Sequence, residues 1–145
     1  ALAESVAARL RKHGFKCKTV EITVRDNGLY SFSRQIHLRQ PTNITNEIVT
    51  AAFRLFKDNY KWEHSIRSLG IRAADLVLDD IPVQLDLFGN QEKKEKLEKL
   101  DRTVDEIRRR FGYFSIQRAA MYQDKVLSHL DAGTHTIHPH SYFHG

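Results

Sequence analysis

Hydrophobic positions along this chain switch between helical and strand rhythm in a readable order. Leu2, Val6 and Leu10 recur every four residues with Ala3 and Ala7 beside them. That spacing predicts an amphipathic helix over residues 2–13, ended by Gly14. Val20, Ile22 and Val24 then alternate with Thr19, Glu21, Thr23 and Arg25, the pattern of a strand with one wet face. Asp26-Asn27-Gly28 signals a hairpin, because Asn-Gly accepts the positive φ angles of a tight turn. The return strand covers residues 30–39, with Tyr30, Phe32, Ile36 and Leu38 on one face. Ser31, Ser33, Gln35, His37 and Arg39 lie on the other. Arg34 interrupts the apolar side and so belongs near an edge or an end, and Pro41 stops the strand.

Thr45 is the expected N-cap of a second helix, with Glu47 favourably placed in its first turn. Ile48, Ala51, Ala52, Leu55 and Phe56 form one helical stripe, carrying that helix to Asn59. Trp62 falls in a loop and is expected to pack against the core. Residues Ile66–Arg72 read as a third strand, with Leu69 and Ile71 inward and Ser68, Gly70 and Arg72 toward solvent. The order α-β-β-α-β predicts an α+β fold in which helices cover one face of an antiparallel sheet and the other face stays open. With a strand in front of it the unit would be β-α-β-β-α-β. The open face carries hydroxyls, amides and arginines, which suit phosphate oxygens, although any solvated sheet face is polar.

The second half is less globular. In Ile81-Pro82-Val83-Gln84-Leu85-Asp86-Leu87-Phe88-Gly89, apolar and polar residues alternate as in a half-buried edge strand. The same stretch also suits an extended docking peptide: Gln84 offers an amide, and Leu85, Leu87 and Phe88 are closely spaced anchors. After it, Leu97, Leu100, Val104, Ile107 and Phe111 form a narrow apolar seam on a long charged helix, a surface suited to self-association through residues 92–111. Arg108-Arg109-Arg110 either complements that helix's dipole or contacts nucleic acid. The end is rich in histidine, at His129, His135, His138, His140 and His144. Pro139 rules out a helical pair of metal ligands there, and residues 129–145 read as a flexible tail.

A net charge of +5 and a pI near 9.4 make polyanion binding one ordinary reading. No apolar run approaches the length of a membrane span, and the single cysteine, Cys17, suits a reducing interior such as the cytoplasm. The start, Ala1-Leu2-Ala3-Glu4, is already in helical rhythm and lacks a methionine, as expected of a piece of a longer protein.

Taken together, these residues resemble the C-terminal part of Y-family translesion DNA polymerases of the UmuC/ImpB/MucB kind. Ser65–Arg72 is similar to the last strand of that family's little-finger domain, and Gln84-Leu85-Asp86-Leu87-Phe88 to its sliding-clamp-binding peptide. The run from Leu100-Asp101 to Gly112, with Ser115-Ile116-Gln117-Arg118-Ala119, resembles the segment that follows the peptide, and His135–Pro139 is similar to tails in that branch. The resemblance implies a little finger over residues 1–80, the clamp peptide over 81–90 and a helical extension over 91–128. It also implies partners: template–primer duplex gripped by its phosphates without sequence preference, the sliding clamp, and no membrane. Arg67, Ser68 and Arg72 match the contacting strand, and Ser31, Ser33 and Gln35 sit on the matching hairpin strand. Position 68 is often basic in relatives, and serine there weakens that part of the expected grip. The family's catalytic carboxylate motifs and their two metal ions have no counterpart here. No catalytic residue, metal ligand or cofactor is therefore assigned to this chain, and Mg2+ is expected in the catalytic part.

Overall fold

The computed structural model describes residues 1–80 and 91–130, so Gln84–Phe88 and the tail from Asp131 onward lie outside the described residues. The elements are α1 (Leu2–Lys12), β1 (Phe15–Asp26), β2 (Ser31–Thr42), α2 (Thr45–Asn59), β3 (Ile66–Leu78), α3 (Gln91–Phe111) and the short α4 (Lys125–Ser128). The three strands form one antiparallel sheet in the order β2-β1-β3. The α+β architecture expected from the periodicity is the one observed.

Val20, Ile22 and Val24, alternate residues of the central strand, are buried against Ala3, Ala7 and Leu10 of α1 and Ile48, Ala51, Ala52 and Leu55 of α2. Each large aliphatic side chain so removed from water stabilises the fold by about 1.5–3 kcal/mol before entropy is counted. Cys17 joins this core, and its thiol donates to the Thr42 carbonyl at 3.4 Å. Burial, and after it the charge of Glu47, pushes that thiol from 9.0 up to about 11.

Several expected boundaries move. β3 continues past Arg72 to Leu78 because it pairs with β1 as far as Phe15. Pro41 does not end its strand, since β2 runs to Thr42. β2 is an edge strand, and its pairing is already irregular there: Thr19 faces His37 but Cys17 faces Thr42. A residue without an N–H is tolerated at such an edge or bulge. Edge placement also accounts for Arg34, which lies over the Phe32 ring at 5.4 Å. Trp62 does not pack on the core. It is 67% exposed, with its ring edge-on to Phe56 and Tyr60 at 5.7 and 5.3 Å.

The N-cap assignment changes most. Ile44, not Thr45, precedes α2, and no side chain of its own caps the helix. The Thr45 N–H instead donates to the Asp101 carboxylate of α3 at 2.7 Å, a cap supplied from another helix. Asp101 also accepts from Arg11 of α1 at 3.1 Å, and Arg11 grips Asp105 through two bonds of 2.6 and 2.9 Å. The remaining capacity of Arg11 goes to the Asn43 carbonyl at 2.7 Å and the Thr45 hydroxyl at 3.2 Å.

α3 therefore docks through charge. Lys94 reaches Gln40 (2.5 Å) and Glu47 (3.7 Å), Glu98 reaches Lys16 (3.7 Å), and Arg108 reaches Glu4 (3.6 Å). With Asp101 and Asp105, these residues recur every three or four positions, so they share one helical face. The apolar seam flanks that face: Leu97, Val104 and Ile107 are half-buried, whereas Leu100 and Phe111 remain 55% and 74% exposed. Arg108 is unavailable to nucleic acid, because it donates twice to the Ile116 carbonyl and lies over the Tyr113 ring at 4.6 Å. Among the described residues no helix is long and apolar enough to cross a membrane.

Replacing Asp101 with alanine leaves the nearly buried Arg11 short of a partner and uncaps α2. We expect a loss of about 3 kcal/mol, read from the midpoint of urea unfolding. The raised pKa of Cys17 means the fold favours the neutral thiol. Its stabilising contribution is complete below pH 9 and disappears as pH climbs toward 11. A disulfide-exchange reagent at about pH 8 should leave Cys17 unmodified in the folded chain and react once urea unfolds it.

Candidate functional site

With α1 and α2 packed on one side, the other face of the sheet is built from the odd-numbered residues of β1 and the partners that register sets beside them. Four transverse rows result: Ser31–Arg25–Ser68, Ser33–Thr23–Gly70, Gln35–Glu21–Arg72 and His37–Thr19–Ala74. Neighbours within a row are about 4.8 Å apart and successive rows about 6.7 Å apart. Five of the six residues expected from the sequence, Ser31, Ser33, Gln35, Ser68 and Arg72, thus occupy one surface, and all five are exposed.

The register does not place Arg67 in any of these rows. Simple alternation would group it with the inward Leu69 and Ile71. The register shifts, however, so that Arg25 faces Ser68 while Asp26 faces Ile66, which leaves Arg67 as the unpaired extra residue of a bulge. Arg67 is exposed and has no ion pair or hydrogen bond among the described residues.

The face is polar but unevenly charged. Arg72 donates to Glu21 at 2.9 Å, with the arginine side chain 68% exposed and the glutamate only 16%. Such a partly exposed pair contributes at most about 1 kcal/mol, so a phosphate can replace the carboxylate as partner. The Thr23 and Ser33 hydroxyls are 3.0 Å apart. In the last row Thr19 Oγ1 lies 2.7 Å from His37 Nδ1 and donates to the Asp75 carboxylate, which lies 3.7 Å from the same imidazole nitrogen. At Gly70, mid-face, an added Cβ would meet only Thr23, at 3.7 and 3.9 Å. The fold does not demand glycine there; its absence of side chain leaves bare backbone in the middle of the surface. Guanidinium, hydroxyl and amide groups of the kind in this array are able to donate hydrogen bonds to anionic oxygens. Among the described residues no group of three or more His, Cys, Asp or Glu is gathered as metal ligands.

Arg25 was not singled out from the sequence, although it alternates with the core valines as clearly as Thr23 does. Its central place between two serines depends on the register of both neighbouring strands. Alternation places Glu21 on the wet face, but its pairing with Arg72, and that of Asp75 with Thr19 and His37, likewise depend on register. The expected clamp-binding residues Gln84, Leu85, Asp86, Leu87 and Phe88 fall outside the described residues, but both flanks of that segment are held. The Asp79 N–H donates to the Gly14 carbonyl at 2.8 Å, and its carboxylate meets Lys16 and Arg102, each at 3.0 Å. Burial pushes the Asp79 carboxyl up, but Lys16 and Arg102 outweigh it and hold it below the usual carboxylate range.

Comparison with known proteins sets the class first: along most of its length the chain aligns with bacterial DNA polymerases. More narrowly, it belongs to the impB/mucB/samB family, whose C-terminal domain matches residues 1–87. It is 42% identical over 129 residues to DNA polymerase IV of Acetivibrio thermocellus, covering 89% of this chain and 32% of that protein. It is 36% identical over 122 residues to DNA polymerase IV 2 of Bacillus subtilis, covering 82% and 28%. A DNA polymerase IV of Dehalococcoides mccartyi is 32% identical over 127 residues, covering 87% and 31%. The chain spans about a third of the length of these relatives, and it corresponds to the C-terminal region of such polymerases. The expected membership of this polymerase family is borne out.

Proposed function

We propose that this chain is the non-catalytic, DNA-gripping and clamp-docking region of a translesion DNA polymerase acting in lesion bypass and DNA repair. The observation that supports the reading is the open sheet face, which holds Arg72, Ser31, Ser33, Gln35 and Ser68, with the exposed Arg67 in the bulge beside Ser68. Donors of this kind bind phosphate and sugar oxygens, which fix the register of a duplex without reading its sequence. A polymerase that works on damaged templates needs that indifference. Its two metal ions and their carboxylates belong to the catalytic part, not to this region.

The clamp-docking half rests on the Gln84-Leu85-Asp86-Leu87-Phe88 sequence and on the anchoring of its flanks at Asp79 and along α3. Fixing both ends of a recognition segment lowers the ordering cost of binding. A second reading, self-association through helix 92–111, draws on the exposed Leu100 and Phe111. It is tested by the mass of the chain in solution across concentration.

Arg67→Ala and Arg72→Ala should each weaken binding of a labelled template–primer duplex to a similar degree for unrelated sequences. Each should also reduce the salt slope of log K, by up to about one; unchanged affinity and slope in both variants would remove the sheet-face reading. For the clamp, a peptide spanning Asp79–Asn90 should bind the sliding clamp saturably near ~1 μM, about −8 kcal/mol. Replacing Leu87 and Phe88 with alanine should abolish that binding, and insensitivity to the double change would return the segment to a structural strand.

A further inference from the structure

The open face is not one uniform patch, and its charges separate along the strand direction. At the hairpin end, Arg25 stands between Ser31 and Ser68, and Arg67 occupies the adjoining bulge. Neither arginine has an ion pair or hydrogen bond among the described residues, and both are exposed. Two rows further on, Arg72 is paired with Glu21 at 2.9 Å. One row beyond that lies the Asp75 carboxylate, bonded to Thr19 Oγ1 and 3.7 Å from His37. The only other acid close to Arg25 in sequence, Asp26, is 4% exposed on the helix side and accepts from the Tyr30 N–H at 3.0 Å. Along β1 the face therefore passes from the uncompensated Arg25, through the neutral Glu21–Arg72 pair, to the Asp75 carboxylate, and Lys18 and Arg39 are exposed cations past that point.

We infer that the duplex grip is centred on the hairpin end, that Arg25 is its principal phosphate-binding cation, and that Glu21 limits what Arg72 contributes. This deepens the phosphate-binding reading of the face and rests on it. The physical reason is local charge balance. A phosphate arriving at Arg25 meets a full positive charge flanked by two hydroxyl donors, and no internal contact has to break. At Arg72 it must displace Glu21, whose side chain is held on the central strand and only 16% exposed, so the carboxylate stays beside the phosphate and repels it. Counterion release scales with the number of phosphates neutralised, and a pair that is already internally neutral releases less.

The test uses the whole chain and a fluorescently labelled template–primer duplex, titrated by anisotropy over a series of salt concentrations. Arg25→Ala should raise Kd roughly tenfold, the size of one lost charge-assisted hydrogen bond, and lower the salt slope by about one. Arg72→Ala should cost only about two- to threefold, since it removes a neutral pair's cation from the edge of the footprint. Glu21→Gln, which keeps a hydrogen-bond acceptor beside Arg72, should tighten binding and steepen the slope. Arg25→Gln serves as a second variant, and thermal melting confirms that each protein is folded; among the described residues Arg25 makes no polar contact for the substitution to remove. If wild type binds duplex but Arg25→Ala and Arg25→Gln bind as well as it does, the inference is overturned. It is also overturned if Arg72→Ala costs more than Arg25→Ala, or if Glu21→Gln weakens binding. If wild type shows no salt-dependent duplex binding, the DNA-gripping reading itself fails.

Discussion

The arrangement of this molecule depends on the guanidinium of Arg11. It is nearly buried, it belongs to the first helix, and its partners come from the other two long helices and the loop between β2 and α2. Removing such a group from water costs several kcal/mol, which only a full complement of partners offsets. Asp101, Asp105, the Asn43 carbonyl and the Thr45 hydroxyl supply that complement. Because Asp101 simultaneously receives the first N–H of α2, the register of α3 against the body is set by charge and hydrogen-bond geometry together. An apolar seam would tolerate small slides along the helix; a bidentate carboxylate does not.

Consequences follow for the neighbouring elements. With α3 anchored from Lys94 to Arg108 and Asp79 held by Lys16 and Arg102, the ends of the segment between β3 and α3 are fixed relative to the sheet. Arg11 and Arg108 face inward, but Asp101, Asp105 and Glu4 face them there, so this anchoring lowers the number of free cations without lowering the net charge of +5. The exposed cations of the three strands are Lys18, Arg25, Arg34, Arg39, Arg67 and Arg72, and among the described residues Arg72 is the one with an ion pair, to Glu21.

How far the sequence speaks for itself differs between the two halves. Alternation in residues 19–25 and 31–37 determined both strands, their wet face and their turn, because strand side chains have a strict period of two and one face had to find the core. The stripe of Ile48, Ala51, Ala52 and Leu55 determined the helix above them in the same way. The family was legible too, since short ordered motifs survive in linear form. Tertiary structure decided what no linear pattern carries. A bulge takes Arg67 out of the strand alternation, because one unpaired residue breaks the period on which prediction relies. The cap of α2 comes from Asp101, far along the chain, so no local N-cap signal could announce it. Which arginines of the open face are free depends on cross-strand partners, and register between strands is fixed only when the whole sheet closes over its core.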